Sequence, residues 1–182
     1  MAVSTAATSA DSTVPVSDAV VAAIAVFDLE RSAWAMSIVA GPVPGSSAVR
    51  VQAGASMDDL LAFLEGNGLG VTNTPAPGDL SVGGVLAING HGTSVAATGE
   101  TLAPGHTYGT LSNLVLSLTA VVWDTSAGRY VLNTFNRGDP QGPALLTHVG
   151  RAFVTEAVLR VGADGNLRCV SHVDVPRSEL FA

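Results

Sequence analysis

The stretch LSNLVLSLTAVVWDTSAGRYVLNTF runs from Leu111 to Phe135. Its first fourteen residues, rich in Leu and Val, read as one long strand. "TSAG" at 125–128 reads as a turn, and "RYVLNTF" as the returning arm. Two strands joined so tightly form a hairpin, which makes their pairing antiparallel. Downstream, Phe153, Thr155, Ala157, Leu159 and Val161 alternate with Val154, Glu156, Val158 and Arg160. "ADGN" then turns and residues 167–173 alternate again, which predicts a second hairpin.

Upstream, residues 48–53 read as a strand with Val49 and Val51 on one face, broken by Gly54. Ser56 is placed to cap a helix whose first turn carries Asp58 and Asp59, a favourable sign for the helix dipole. Leu60, Leu61, Phe63 and Leu64 supply its apolar face, and Gly66 and Gly68 its end. A short strand and a Pro/Gly-rich loop follow. Ser81 is a second cap, opening a short buried helix over "VGGVLAIN". Each glycine there costs about 1 kcal/mol against alanine, so the helix depends on packing. "RGDPQGPALLTHVG" (137–150) reads as a loop with a short helix. The expected fold is α+β: an antiparallel sheet with a few flanking helices and no internal repeat. Residues 1–25, mostly Ala, Ser, Thr and Val, read as a poorly patterned tail, and the folded domain as 26–182.

Composition narrows the function classes. Of 182 residues, 47% are apolar and only 13% charged, against roughly 25% charged in ordinary soluble domains. Such a surface is expected to be covered by a cofactor, a partner or further chain. The net charge is −7 and lysine is absent, which argues against nucleic-acid binding. Any anionic cofactor would have to be held by backbone amides and helix N-termini. The single cysteine, Cys169, excludes an intrachain disulfide and a thiolate zinc site and reads as a core residue. No metal site is expected, since the four histidines lack a ligand spacing. No apolar run reaches the ~18 residues of a membrane span. The apolar stretch 19–27 follows Asp18 with no basic region before it, which reads against a secretory signal. The compartment stays open.

"GDLSVGGVLAINGHGT" (78–93) is the stretch that bears on chemistry. It carries Gly78, Gly83, Gly84, Gly90 and Gly92, with hydroxyls at Ser81 and Thr93. Glycines allow close backbone approach, and amides at a helix start favour a diphosphate. Phosphate cradle and simple turn packing both fit. The Gly-Lys-Ser/Thr ending of a Walker loop is missing, and the G-x-G at 90–92 follows the apolar run rather than preceding a helix. His91 has no G-x-S-x-G elbow beside it, so a hydrolytic triad is disfavoured against a loop histidine bonded to backbone. The RGD at 137–139 reads as an ordinary turn rather than an adhesion signal.

Four blocks carry a resemblance: "TPAPGDLSVGGVLAINGHGT", "LAPGHTYGTLSNLVLSLTAVVWD", "THVGRAFVTEAVLRVG" and "VPRSELFA". In this order they resemble flavin oxidases of the vanillyl-alcohol-oxidase type, with a PCMH-type FAD-binding domain, and within that family the bacterial cholesterol oxidases with covalently bound FAD. The resemblance covers roughly residues 26–182 and implies the second of the family's two FAD subdomains. It implies that Ser81, Ile88 and the His91, Gly92, Thr93, Ser94 loop lie along the FAD, chiefly its diphosphate and ribityl portion. It places Val154 by the adenine end; Gly78, Gly83, Gly84 and Gly90 join the candidate cofactor-binding residues from the glycine reading above, as points of close backbone approach. The implied reaction is oxidation of a sterol or other alcohol, with hydride passed to the flavin and then to dioxygen. The family's flavin-linking histidine lies in an earlier Arg-Gly-x-x-His-Gly-type loop, absent here, and His91 is in the wrong block to replace it. The substrate domain that would follow "ELFA" is also absent. The expectation is therefore an FAD-binding portion inactive by itself. The alternative is a non-enzymatic remnant or interaction module that pairs with a separately encoded chain.

Overall fold

The computed structural model describes residues 35–92, 99, 101–102, 104–165, 176 and 178. The N-terminal tail, Thr93, Ser94, Cys169 and the second arm expected at 167–173 lie outside the described residues.

Strands β1 (Met36–Ala40), β2 (Ser47–Gln52), β3 (Leu69–Gly70), β4 (Val115–Asp124), β5 (Arg129–Asn136) and β6 (Phe153–Ala163) form one sheet. Its order is β1-β2-β6-β4-β5, with β3 pairing the end of β6, and every pairing is antiparallel. Helices α1 (Met57–Glu65) and α2 (Val82–Ala87) add the α component, so the α+β expectation holds. The predicted hairpin is β4–β5, closed by Gly128 at φ 62° donating its N–H to the Asp124 carbonyl. The Asp124 carboxylate accepts from the Ser126 hydroxyl and from the amides of Ser126 and Ala127, which holds its pKa below the usual carboxylate value.

One boundary is corrected. Residues 111–113 do not extend the strand but form a 3₁₀ turn before β4. Leu111 and Leu114 are nevertheless buried, so the apolar run is core on both sides of the junction. A short apolar run does not distinguish strand from turn by hydropathy alone. The end of α1 falls where the sequence indicates, with Gly66 as its C-cap at φ −59° and Gly68 left-handed at φ 67°.

Burial along β6 changes parity. Val154 is buried, and then Ala157, Leu159 and Val161 are. The switch sits where Thr119 pairs Glu156 but Ala120 pairs Val154, leaving Thr155 as an extra residue in a β-bulge. The bulged Thr155 carbonyl accepts the Ala53 amide and so ties the sheet to the loop before α1. The core joins Val49, Val51, Leu118, Leu159 and Val161 of the sheet to Leu60, Leu64, Val85 and Leu86 of the helices. Each such side chain contributes about 1.5–3 kcal/mol on burial.

Candidate functional site

Both serine caps form as the sequence indicates. The Ser56 hydroxyl accepts the Asp59 amide at 3.0 Å, and Ser81 accepts the Gly84 amide at 3.2 Å. The expectation that helix-start amides stand free for a diphosphate is corrected by the partners of those amides. Met57 and Asp58 of α1 donate to the carbonyls of Leu80 and Gly78. Reciprocally, Val82 and Gly83 of α2 donate to Ala55 and Ala53, each at 2.8 Å. Ser56 and Ser81 face one another in a β-bridge. The two helix starts therefore satisfy each other, and the donors that usually hold an anion at α2 are spent within the chain.

The glycines divide accordingly. A Cβ on Gly83 would meet Ala53 Cβ at 2.9 Å and the Ala53 carbonyl at 3.1 Å. A Cβ on Gly78 would strike the Asp58 carboxylate, one on Gly90 the Val85 side chain, and one on Gly92 the Asn73 side chain and the Thr74 carbonyl. These four are small because the chain packs against itself. Gly84 alone of the five is exposed, and its only near neighbour is the Ser81 hydroxyl at 2.9 Å.

The C-terminal end of α2 builds the rim. Asn89 adopts φ 58°, its N–H reaches the Leu86 carbonyl, and the Gly90 N–H reaches the Val85 carbonyl at 2.8 Å. This is a Schellman cap with Asn in the left-handed place. It turns the chain sharply and leaves Ile88 outside, 66% exposed. Gly90 then accepts the Leu111 amide, and the loop passes to His91 and Gly92. His91 is exposed, and its Nδ1 lies 3.0 Å from the Gly92 carbonyl oxygen. The loop-histidine reading is thus the one found.

Two side chains that sequence reasoning missed fasten the loops here. Buried Asn73 accepts the Gly92 amide at 2.5 Å and donates to the Gly109 carbonyl at 3.0 Å. His106 bridges the Thr72 hydroxyl at 2.9 Å and the Ala163 carbonyl at 2.7 Å. Since a carbonyl only accepts, His106 Nε2 carries the proton and Nδ1 receives the Thr72 O–H. No local pattern marks either residue, because both act on segments distant in sequence.

A second segment reaches the rim. Val149 donates to the Ala87 carbonyl at 2.8 Å and holds φ 45°, a left-handed conformation unusual for a β-branched residue. Its side chain is 66% exposed, as is that of Ile88. Preceding it, His148 is buried, with Nδ1 accepting the Ala152 amide and Nε2 without a hydrogen-bond partner. Burial pushes its pKa below the ordinary histidine value. Val154 lies inside, 9% exposed. Among the described residues no three His, Cys, Asp or Glu gather as for a metal ion. Arg137 of the RGD donates to the carbonyls of Ser112 and Val115 beside the start of β4, and Asp139 accepts the Asn136 amide of its own turn, so both charged side chains are bonded within the chain. Among the described residues around His91 no nucleophile is paired with a base.

Neither a protein-family model nor a curated protein sequence matches the chain. Solved structures do. A solvent-stable cholesterol oxidase matches at 54% identity and TM-score 0.75, over 82% of this chain and 27% of that one. The cholesterol oxidase from B. sterolicum matches at 44% identity and TM-score 0.74, over 82% and 27%. A histidine-to-alanine mutant of the Brevibacterium sterolicum enzyme matches at 45% and 0.71, over 80% and 27%. The chain thus spans about a quarter of the length of these relatives. At 44–54% identity over about four-fifths of its residues and with the same fold, this chain corresponds to a fragment of the FAD-binding family of PCMH-type oxidoreductases in which these cholesterol oxidases fall.

Proposed function

We propose that residues 26–182 form part of a PCMH-type FAD-binding domain and supply one wall of the FAD site in a flavin-dependent sterol or alcohol oxidase. The observation that carries this reading is the rim at the end of α2. Ile88 and Val149 stand 66% exposed on segments joined by one hydrogen bond, beside the His91–Gly92 loop. The packed core makes little use of these side chains, and they suit the flat apolar faces of a flavin or adenine ring. Gly84 is open to close approach, and a hydroxyl-bearing ligand finds polar partners in the loop.

Within this reading Ile88, His91, Gly92, Thr93 and Ser94 line the cofactor, Gly84 admits it, and Ser81, Gly78, Gly83 and Gly90 shape the wall from behind. Val154, buried near the start of β6, supports the adenine side through that strand. When bound, the flavin supplies a hydride acceptor and a route for electrons to dioxygen. The chain's own contribution is to bind and orient it. The polypeptide of this sequence, by itself, is proposed to release no peroxide from cholesterol, since it spans 27% of the length of the oxidases it matches.

The test is FAD retention. Purified protein is mixed with FAD and gel-filtered, and the flavin absorbance of the protein peak is read. Retained flavin that Ile88→Asp removes supports the reading, and a colourless monodisperse peak overturns it. Peroxide release from cholesterol would overturn the inactivity.

A second reading, a module that pairs with a separately encoded chain, is favoured by the outward face of the hairpin. Phe153, Val121 and Leu132 stand in register across β6, β4 and β5, next to the Trp123–Tyr130 pair with ring centroids 5.1 Å apart. Trp123, Leu132 and Phe153 are 40%, 52% and 44% exposed. A chain that aggregates without flavin and becomes soluble with a partner would favour this reading.

A further inference from the structure

The turn that carries Val149 is closed twice by His148. The His148 carbonyl accepts the Arg151 amide at 2.9 Å, and the ring Nδ1 accepts the Ala152 amide at 3.2 Å. An amide N–H only donates, so Nδ1 is the bare nitrogen and Nε2 carries the proton of the neutral ring. That Nε2 is buried without a hydrogen-bond partner, on a side chain 8% exposed. A second proton has one place to go, Nδ1, where it takes the lone pair that holds Ala152. The imidazolium would then set N–H against N–H on one side and bury a partnerless N–H on the other. The conformation closed in this way is a strained one. Val149 at φ 45° and Gly150 at φ 78° are left-handed in succession, and the first is β-branched. The Val149 N–H joins the turn to α2 through the Ala87 carbonyl at 2.8 Å.

The segments packed here bring the ring no counter-ion among the described residues. Arg151, on the turn itself, is exposed. Neither α2 nor the 3₁₀ turns at 111–113 and 142–145 contain an ionisable residue. The first in β6 is Glu156, which pairs with Arg50 of β2. His91, beyond α2, is exposed and turned to the Gly92 carbonyl. Arg137 donates to the Ser112 carbonyl, and the Ser112 hydroxyl to the Leu146 carbonyl. Burial alone accounts for the lowered pKa of His148.

We infer that the His148 ring is an acid-released latch: a proton on Nδ1 displaces the Ala152 amide, the 148–152 turn opens, and Val149 leaves the Ala87 carbonyl, parting the two exposed apolar side chains of the rim. The latch is shut while the ring is neutral. As pH falls from about 6.5, the ordinary histidine value, toward the lower value of the buried ring, the open turn takes up a proton that the shut turn refuses. In that window the open population gains about tenfold per pH unit. None of this rests on the FAD reading above.

Two measurements on the 182-residue chain, without ligand, test it. Long-range ¹H–¹⁵N correlation at neutral pH reads the ring, expected in the Nε2–H form. A wild-type Nδ1–H form overturns the inference. Amide hydrogen exchange, normalised to the rate of an unstructured chain, reads the turn. The Val149 and Ala152 amides are expected to be less protected than those of the central strands β4 and β6, and to lose protection about tenfold per pH unit below about 6.5. In His148→Asn, whose side-chain oxygen reaches the Nδ1 position and does not titrate, both amides are expected to keep constant protection over that range. Turn amides that exchange at the rate of the central strands at every pH overturn the latch, since only global unfolding then frees the ring. Protection that falls equally in His148→Asn overturns it too. Should His148→Asn not fold, the wild-type ring form and the gap between turn and central-strand amides still decide it.

Discussion

Gly83 and Gly84 are adjacent, both in the first turn of α2, and the tertiary structure predicts opposite outcomes for the same alanine substitution. Helix propensity alone favours alanine at either place by about 1 kcal/mol. At Gly83 the added Cβ would lie 2.9 Å from Ala53 Cβ and 3.1 Å from the Ala53 carbonyl, the acceptor of the Gly83 amide. Backbone must shift, and overpacking of this kind costs about 1–3 kcal/mol. The hydrogen bond that links α2 to the end of β2 loosens as well, at about 1 kcal/mol. The net expectation for Gly83→Ala is a loss of about 1–3 kcal/mol. At Gly84 the only obstacle is the Ser81 hydroxyl at 2.9 Å, a side-chain atom that can rotate. Losing that cap costs about 1 kcal/mol and offsets the propensity gain, so Gly84→Ala should lie within about 0.5 kcal/mol of wild type. Urea unfolding followed by circular dichroism, with equal slopes, measures both. Equal midpoints for the two variants, or a less stable Gly84→Ala, would refute the reasoning. On the proposed function the ranking reverses for cofactor: Gly84→Ala, stable but no longer open, should weaken FAD retention.

Two further outcomes are expected. Val149→Asn should raise the thermal midpoint, since asparagine tolerates the φ of 45° and relief of a left-handed β-branched residue is worth about 1 kcal/mol; a lower midpoint would remove the strain from the account. His148, kept neutral by burial, resists a proton that the unfolded chain accepts near the ordinary value of about 6.5. Below that pH the unfolded state binds more protons, so stability should fall as pH drops from about 6.5 toward the lowered folded pKa; His148→Gln should flatten that part of the pH–stability curve, and an unchanged curve would contradict the buried neutral ring.

Much of the architecture was legible because its signals are local. Ser56 and Ser81 are followed by apolar residues at helical spacing, and each caps the helix it precedes. The β4–β5 hairpin announces itself through two strand-forming runs around "TSAG". The 3₁₀ turn at 111–113 was not legible, because a buried apolar run has the same composition whether it is strand or turn. The parity switch in β6 was equally hidden, since the bulge at Thr155 arises from pairing with β4 and from the Ala53 amide, neither of which its own neighbours specify.

For the site, the sequence by itself determined which segment matters: a glycine-rich stretch with His91, in a chain without lysine, within blocks that mark the flavin-oxidase family. It could not say what each glycine is for. Gly83 and Gly84 are identical as letters, yet one abuts Ala53 and the other faces open space, because the two helix starts interlock through Ala53, Ala55, Gly78 and Leu80. Nor could it show that the amides expected to hold a diphosphate are already occupied, or that Asn73 and His106 hold loops dozens of residues away. Caps, turns and periodicity depend on neighbours in the chain. The partners of a buried amide, and the open side of a glycine, depend on segments that only folding brings together.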